Sequence, residues 1–322
     1  MQATFAQFLS TKFGLVAGKI NTLDSDGEFT GNYRTQFMNL GLVVPMAAAL
    51  VPISAYGGGV IGLPWDGVVL AALTIDPDGT PTSDDLTDAF RHGVMELGTA
   101  HVKVSPFGLL GHQSIGFMWS DRQRLSLIQD PSNLGTLLAQ EHFPLLQDPG
   151  PVLERILKKR FPGLLNPTQP PNTESDAWSV FYSFDQYLWQ PAGDSSRGLG
   201  MFFSFGLSDG DANPVRYSYT LGLGGNGIVP GRPHDNFGVG WSAIDFSGNF
   251  VPFLRSRLDI GFDREDAVEM YYNAALTGWL NVTADVQVIN PGLGKTLAST
   301  SGTQLEDVHP AVVVGVRTYI RF

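Results

Sequence analysis

The sequence has no cysteine, which excludes disulfides and thiolate metal sites. Charge is also scarce: 16% of its 322 residues are Asp, Glu, Lys or Arg, against about 25% in ordinary soluble domains. No apolar run approaches the roughly 18 residues of a membrane-spanning helix, because the longest, Met38–Ile61, is broken by Pro45, Pro52 and the glycine triplet Gly57–Gly59. The net charge of −11 argues against nucleic acid, since phosphate binding needs a basic surface. In a pore, the same charge favours cations and neutral solutes over anions.

The amino-terminal residues also lack the charged segment and apolar core of a signal peptide. A secreted protein of this composition needs such a leader. The sequence therefore predicts a chain that is either a mature form or shortened at its front.

What the sequence does have is glycine, phenylalanine and tyrosine, 38, 21 and 9 of them, in alternating stretches. In Ala311–Phe322 every second residue is apolar or nearly so, and the other register carries Gly315, Arg317, Tyr319 and Arg321. Taken alone, this strand fits a soluble sandwich as well as a membrane barrel. Because the pattern recurs while the mean hydropathy stays close to zero, it indicates strands with one lipid-facing and one water-facing side.

Twelve segments show this alternation. They are Thr11–Ile20, Pro52–Ile61, Gly67–Ile75, His92–Lys103, Leu110–Ser120, Asp176–Leu188, Arg197–Gly206, Pro214–Leu223, Asn236–Asp245, Asp266–Thr277, Asn281–Asn290 and Ala311–Phe322. If the last strand ends in the periplasm, every long connection falls outside, as in outer-membrane barrels. The chain is therefore predicted to be all-β: a single transmembrane antiparallel β-barrel domain over residues 1–322.

Alternation also assigns the two faces of each strand. In Ala267–Leu276 it turns Val268, Met270 and Tyr272 towards lipid, and Glu269, Tyr271 and Asn273 inward. The same rule turns Asp185, Ser218, Thr220, Asp285 and Gln287 inward. Four tryptophans, Trp119, Trp178, Trp241 and Trp279, fit the interfacial girdles of a barrel. Since such a polar inner face cannot be a packed core, it predicts water there.

The longest predicted connection, 121–175, holds the one convincing helix. Pro151 suits its first turn, and Val152, Leu153, Ile156 and Leu157 form one stripe. Its basic end, Lys158–Arg160, either contacts lipopolysaccharide phosphates or is a solvated helix terminus. Elsewhere, Gly222–Gly227 is predicted to be a turn, because no helix follows it.

Several blocks together resemble the carbohydrate-selective porins of the OprB family. They are FLSTKFGLVAGKINTLD with TQFMN, AWSVFYSFDQYLW, RGLGMFFSFGLSDGDANP, VPGRPHDNFGVGW, EDAVEMYYNAALTGWLNVTADVQVINPG and the terminal VVVGVRTYIRF. The resemblance runs along essentially the whole chain and implies a 16-stranded porin that admits glucose-like sugars by diffusion. It implies four further strands before Thr11–Ile20, and hence a shortened chain. It also implies that 21–51 is the inward loop that narrows the pore.

The candidate sugar-contacting residues are charged or amide groups that can exchange hydrogen bonds with hydroxyls. In the loop they are Asp24, Glu28, Arg34, Gln36 and Asn39, and on the wall Lys19, Arg216, Glu269 and Arg317. The alternative for each is that these groups pair with one another and fix the loop without touching solute. Arg34 is the strongest candidate because it lies within the loop itself.

The resulting hypothesis is a passive sugar porin in the outer membrane of a Gram-negative bacterium, with no catalytic residue, metal or cofactor. Its expected partners are monosaccharides, outer-membrane lipid and lipopolysaccharide, and the barrel assembly machinery, with a homotrimer left open. One alternative is a general-diffusion porin without sugar selectivity. Another is a barrel enzyme of lipid hydrolysis using, for example, Ser114 and His112. A shortened chain without activity is the last.

Overall fold

The computed structural model describes residues 3–22, 27–82, 86–129, 150–160, 171–250, 264–297 and 305–321. Thirteen strands in chain order form one antiparallel meander. They are β1 (Ala3–Ser10), β2 (Phe13–Asn21), β3 (Ser54–Gly62), β4 (Val68–Ile75), β5 (Met95–Val104), β6 (Gly111–Ser120), β7 (Ala177–Trp189), β8 (Gly198–Ser208), β9 (Val215–Asn226), β10 (Asn236–Phe246), β11 (Arg264–Ala275), β12 (Leu280–Asn290) and β13 (Ala311–Ile320).

The prediction of an all-β chain with antiparallel strands is confirmed, but the predicted count of twelve strands is wrong. The additional strand is β1, which a short turn at Thr11 and Lys12 joins to β2. Alternation did not predict β1, because the polar Gln7 lies on the same face as Phe5 and Leu9 and interrupts the apolar period-two pattern. The count also differs from the 16 strands that the resemblance implies.

The sheet has two ends, β1 and β13. Within the described residues neither strand has a partner along its outer edge, so the sheet is not closed into a barrel. Strand direction alternates along a meander, and thirteen strands therefore leave β1 and β13 running the same way. Direct pairing between these two strands would be parallel, unlike every other pair in the sheet.

Helices are few and short. A four-residue helix, α1 (Leu40–Val43), and a 3₁₀ turn, Met46–Ala48, lie between β2 and β3. The predicted helix in the longest connection is present as α2 (Gly150–Arg160), where Lys158 pairs with Glu154 at 2.5 Å. Among the described residues, no helix is long and apolar enough to cross a membrane.

The remaining short elements belong to connections. A second 3₁₀ turn, Pro106–Gly108, joins β5 to β6. Two short ribbons pair Arg124–Leu125 with Thr173–Glu174 and Lys295–Leu297 with Leu305–Asp307.

The two faces of the sheet differ as alternation predicts. On β11, Val268 and Met270 are 44% and 60% exposed, whereas Glu269 and Tyr271 between them are 0% and 3% exposed. We call the face with Glu269 the inner face and the face with Met270 the outer face. The inner face carries the buried clusters of the protein, because the connection between β2 and β3 folds onto it.

Candidate functional site: the inner wall and the inward loop

Residues 27–51, here called the inward loop, lie against the inner face of the sheet. Phe29 packs edge-to-face on Tyr187 of β7, with ring centroids 5.1 Å apart. Phe37 packs between Phe202 of β8 and Tyr271 of β11, at 5.3 and 4.7 Å. All five rings are buried, so the loop is attached by aromatic contacts at two points.

Glycines on the inner face make room for these loop side chains. A Cβ on Gly200 or Gly224 would collide with the ring of Phe29. A Cβ on Gly238 would lie 2.7 Å from the ring of Phe37. The prediction that Gly222–Gly227 is a turn is therefore wrong for most of it, because β9 continues to Asn226 and only Gly227 follows the strand. Gly200, Gly224 and Gly238 together form a glycine floor beneath Phe29 and Phe37 of the loop.

Glu269 of β11 is the central polar anchor of the loop. Its two carboxylate oxygens accept hydrogen bonds from the backbone N–H groups of Met38 at 2.6 Å and Asn39 at 2.7 Å. The Asn39 amide donates to Gln287 at 3.3 Å, and its oxygen caps α1 by accepting from Gly41 N–H at 2.9 Å. Glu269 and Asn39 thus bind each other.

Arg317 of β13 holds the preceding turn of the loop. Its guanidinium donates to the carbonyl oxygen of Tyr33 at 2.8 Å and to that of Gln36. The Gln36 side chain donates to the Glu28 carbonyl and accepts from Asn32 N–H, both at 2.8 Å. These contacts close the turn on itself and tie it to the wall.

The segment after α1 is held in the same way. Ala47 N–H donates to Ser218 Oγ at 3.1 Å, and the Ala47 carbonyl accepts from Asn213 at 2.7 Å. Thr220 Oγ1 donates to the Gly41 carbonyl at 2.9 Å. Water was expected on this polar inner face. Over these strands the backbone of the inward loop takes that place, because it supplies the required donors and acceptors.

Glu28 begins the loop beside charged groups of the wall. Its N–H donates to Asp185 at 3.1 Å, and Tyr187 donates its hydroxyl to the Glu28 carboxylate at 3.2 Å. Asp185 also contacts His112 at 2.9 Å. Burial, followed by the nearby Asp185 charge, raises the pKa of Glu28, while Tyr187, His112 and Lys103 oppose that rise.

Four predicted site residues remain, namely Lys19, Asp24, Arg34 and Arg216. Asp24 falls outside the described residues. Arg34 is half-buried and stacks on the Tyr33 ring at 4.4 Å. Arg216 donates to the carbonyl oxygens of Ser208 and Asp209, where β8 ends.

Lys19 lies on the outer face, whereas a wall position facing the pore was predicted. It pairs with Tyr56, and its ammonium sits 5.4 Å from that ring and 3.4 Å from the Pro81 carbonyl. The neighbouring Ile20–Ala55 pair faces inward, with Ala55 in an inner cluster. Alternation runs unbroken through β2, since Leu15, Ala17 and Lys19 share one register and Leu15 is 42% exposed on the outer face.

Part of the inner face was not among the predicted sugar-contacting residues, although Ser114 and His112 were named there as the example for lipid hydrolysis. On β5 and β6, His101 contacts Ser114 at 2.7 Å and Lys103 pairs in register with His112. On β7 the ring of Phe181 covers Gly116 of β6. Alternation puts His112, Ser114 and Gly116 on one face of β6, since they occupy every second position, and it could have added His101 and Lys103 of β5 to the candidates in the same way.

No cluster of three His, Cys, Asp or Glu side chains suited to a metal ion occurs in the described ranges. The chemistry available on the wall is hydrogen bonding, charge and aromatic contact.

Comparison with known proteins agrees with this architecture. The model of the family described as "Carbohydrate-selective porin, OprB family" matches residues 1–322. Porin B of Pseudomonas aeruginosa is 26% identical over 138 residues, which are 39% of this chain and 28% of that protein. The match thus spans well under two thirds of that relative.

Solved structures share the fold at low sequence identity. The high-pH structure of Pseudomonas putida OprB aligns with a TM-score of 0.69 at 17% identity, over 98% of this chain and 71% of that one. The structure of OmpT of Vibrio cholerae, expressed in the outer membrane, aligns with a TM-score of 0.52 at 11% identity, over 99% and 80%. Because the family model spans residues 1–322, the chain belongs to the OprB family of carbohydrate-selective porins, which places it in the outer membrane of a Gram-negative bacterium.

Proposed function

We propose that this chain lines a channel through which glucose-like monosaccharides diffuse passively, without covalent chemistry. The observation that supports this most strongly is the inward loop, which hydrogen bonds and buried rings fix against the inner face of β7–β13. A loop held inside a channel narrows it without blocking it when one wall stays uncovered. Here the inner face of β5 and β6 next to His101, Lys103 and Ser114 remains half-exposed or exposed.

Selective diffusion needs weak, exchangeable contacts. A solute that binds too tightly does not leave, and one that finds no partners for its hydroxyls loses hydration without compensation. The uncovered wall presents hydroxyl, imidazole and ammonium groups beside an aromatic ring. Hydroxyls bind such groups, and the apolar faces of a sugar ring fit aromatic surfaces.

The test is planar-bilayer conductance of the refolded chain with glucose titrated in. We expect stable steps that glucose reduces and that a zwitterion of equal size leaves unchanged. Steps that respond equally to both solutes would identify a general-diffusion pore. Folded, heat-modifiable protein that gives no steps would contradict the proposal that this chain forms a pore by itself.

A second candidate function, ester hydrolysis, has one observation in its favour. His101 Nδ1 and Ser114 Oγ lie 2.7 Å apart, as a base and a nucleophile would. The predicted partner of Ser114, His112, instead contacts Asp185. Hydrolysis of a chromogenic ester that Ser114→Ala abolishes would support an enzyme. We expect no such hydrolysis.

Three partners belong to the same proposal. Lipopolysaccharide would meet the outer connections, although Lys158 of α2 already pairs with Glu154. The barrel assembly machinery would insert the chain, and three copies would form the mature porin. Comparing the native gel migration of the refolded protein with that of the heated protein tests whether three copies associate.

A further inference from the structure

The loop network limits which groups can bind a solute. The side chains of Glu269, Gln36 and Arg317 are hydrogen-bonded to the backbone of the inward loop, and Glu269 is fully buried. A group of this kind cannot exchange partners with a passing sugar unless the loop detaches. The sugar-contacting groups of this chain must therefore lie elsewhere on the inner face.

An uncovered column of side chains runs along β5, β6 and β7. Across β6 and β7 the register pairs Gly116 with Phe181, Ser114 with Ser183 and His112 with Asp185. On β5, His101 and Lys103 stand beside Ser114 and His112. Side chains two residues apart on one face are separated by about 7 Å, so the column offers polar groups at regular steps below an aromatic ring.

Phe181 supplies the aromatic surface. The far end of its ring fills the space that a Cβ on Gly116 would need, so the ring lies over the sheet rather than standing away from it. The ring is half-buried and belongs to none of the buried clusters that the inward loop forms. Its neighbour in register on β8, Gly206, lies beneath Ala47 of the loop. Phe181 thus sits at the border between the covered wall and the open wall.

The other end of the column is charged. Lys103 is exposed, and its ammonium makes no hydrogen bond or ion pair within the described part of the chain. Its charge acts on Glu28 and on His112, and His112 contacts Asp185 at 2.9 Å. Two carboxyl groups and one ammonium in such a small area disfavour an anionic ligand, while their mixed donors and acceptors suit neutral hydroxyl groups.

We propose that the column of Phe181, Ser114, His101 and Lys103 is a binding site for a neutral monosaccharide, with the sugar ring stacked on Phe181 and its hydroxyls on the polar groups. This inference rests on the proposed function, and it adds where on the wall the sugar binds and that the sugar is uncharged. The inward loop forms the opposite side of the passage and takes no direct part.

The test measures sugar binding without requiring a closed channel. Saturation-transfer NMR of glucose with the protein folded in detergent reports which sugar protons approach aromatic side chains. Phe181→Leu should weaken glucose binding about threefold to tenfold, the scale of one aromatic contact. Lys103→Met should weaken it in the same direction, and glucuronate should bind more weakly than glucose.

Matched controls lie on the outer face of the same strands. Phe184 neighbours Phe181 on β7 but packs against the Phe203 ring, and Gln113 neighbours Ser114 on β6 and is exposed. Phe184→Leu and Gln113→Leu should leave glucose binding unchanged. Gly116→Ala, which needs the space of the Phe181 ring, should weaken binding while keeping that ring.

The possible results separate this inference from the proposed function. Glucose binding by the wild type that is equal in Phe181→Leu and Gly116→Ala would overturn the site and leave a sugar porin intact. Absence of glucose transfer in the wild type, together with conductance that ignores glucose, would overturn the proposed function and the site with it. Tighter binding of glucuronate than of glucose would overturn the assigned ligand charge.

Discussion

Buried side chains in the loop network act through their hydrogen bonds, and Glu269 shows this most clearly. Both of its oxygens accept backbone N–H groups of the inward loop. Glu269→Gln leaves one acceptor and turns an NH₂ group towards the other N–H. We expect a loss of about 1–3 kcal/mol of folding free energy, seen as a lower unfolding midpoint, and larger, noisier conductance as the loop loosens.

The control for this change is Glu96→Gln on the outer face. Glu96 accepts from Thr74 Oγ1 at 2.9 Å but is exposed and does not touch the loop. It should leave both the unfolding midpoint and the conductance unchanged. Equal effects of the two substitutions would contradict the role of Glu269 as an anchor.

Glu28 gives the loop a pH dependence. Burial and Asp185 raise its pKa in the folded protein. Such a carboxyl stabilises the fold fully below its unfolded pKa, and this contribution disappears as the pH rises through the folded pKa. Glu28→Gln, which mimics the neutral acid, should therefore gain stability relative to the wild type as the pH rises above about 4, the pKa of an unperturbed glutamate.

Thermal unfolding midpoints of both proteins across that range measure the effect. The exposed Glu306, in a short ribbon, provides the control as Glu306→Gln. A constant difference between Glu28→Gln and the wild type at every pH would show that this carboxyl does not govern the loop.

At the scale of elements, the inward loop and the glycine floor of β8–β10 form one packed unit. Gly238→Ala puts a methyl group 2.7 Å from the ring of Phe37 and 2.8 Å from that of Tyr271. Overpacking of this kind costs about 1–3 kcal/mol. We expect a lower unfolding midpoint and faster protease cleavage within the loop.

Gly98→Ala on β5 is the matched control, because nothing lies within 4 Å of the added methyl. It should be neutral or slightly stabilising, since glycine costs about 0.5–1 kcal/mol relative to alanine inside a strand. If Gly238→Ala also proved neutral, the loop would not be packed on the floor described above.

At the scale of the whole molecule, the outer face of the sheet should meet lipid. Met270 lies in the middle of β11 and is 60% exposed. Met270→Arg should destabilise the protein in phospholipid vesicles by about 2–4 kcal/mol, the cost of a cation near the bilayer midplane. The measurement is urea unfolding followed by tryptophan fluorescence.

Ser195→Arg, in the exposed connection between β7 and β8, tests whether the cost depends on depth. This substitution should be close to neutral. Equal stability of the two variants in vesicles would contradict a lipid-facing β11.

Sequence patterning predicted most strands because alternation is a local property. Twelve of the thirteen strands start within three residues of their predicted start. The prediction missed β1, where Gln7 interrupts the apolar face. It also placed Lys19 on the pore wall, although Lys19 shares its register with Leu15 and Ala17 of the outer face. Alternation also turned Glu269, Thr220 and Asp285 inward, as the structure does.

The sequence by itself determined the class of the protein, its antiparallel strands and the polarity of each face, because these depend on neighbours along the chain. Tertiary structure decided what the inward polar groups do. Glu269 and Arg317 could have lined water or held the loop, and only the approach of residues more than 200 positions away in the chain selects the second. The column at Phe181 likewise exists only because β5, β6 and β7 lie side by side.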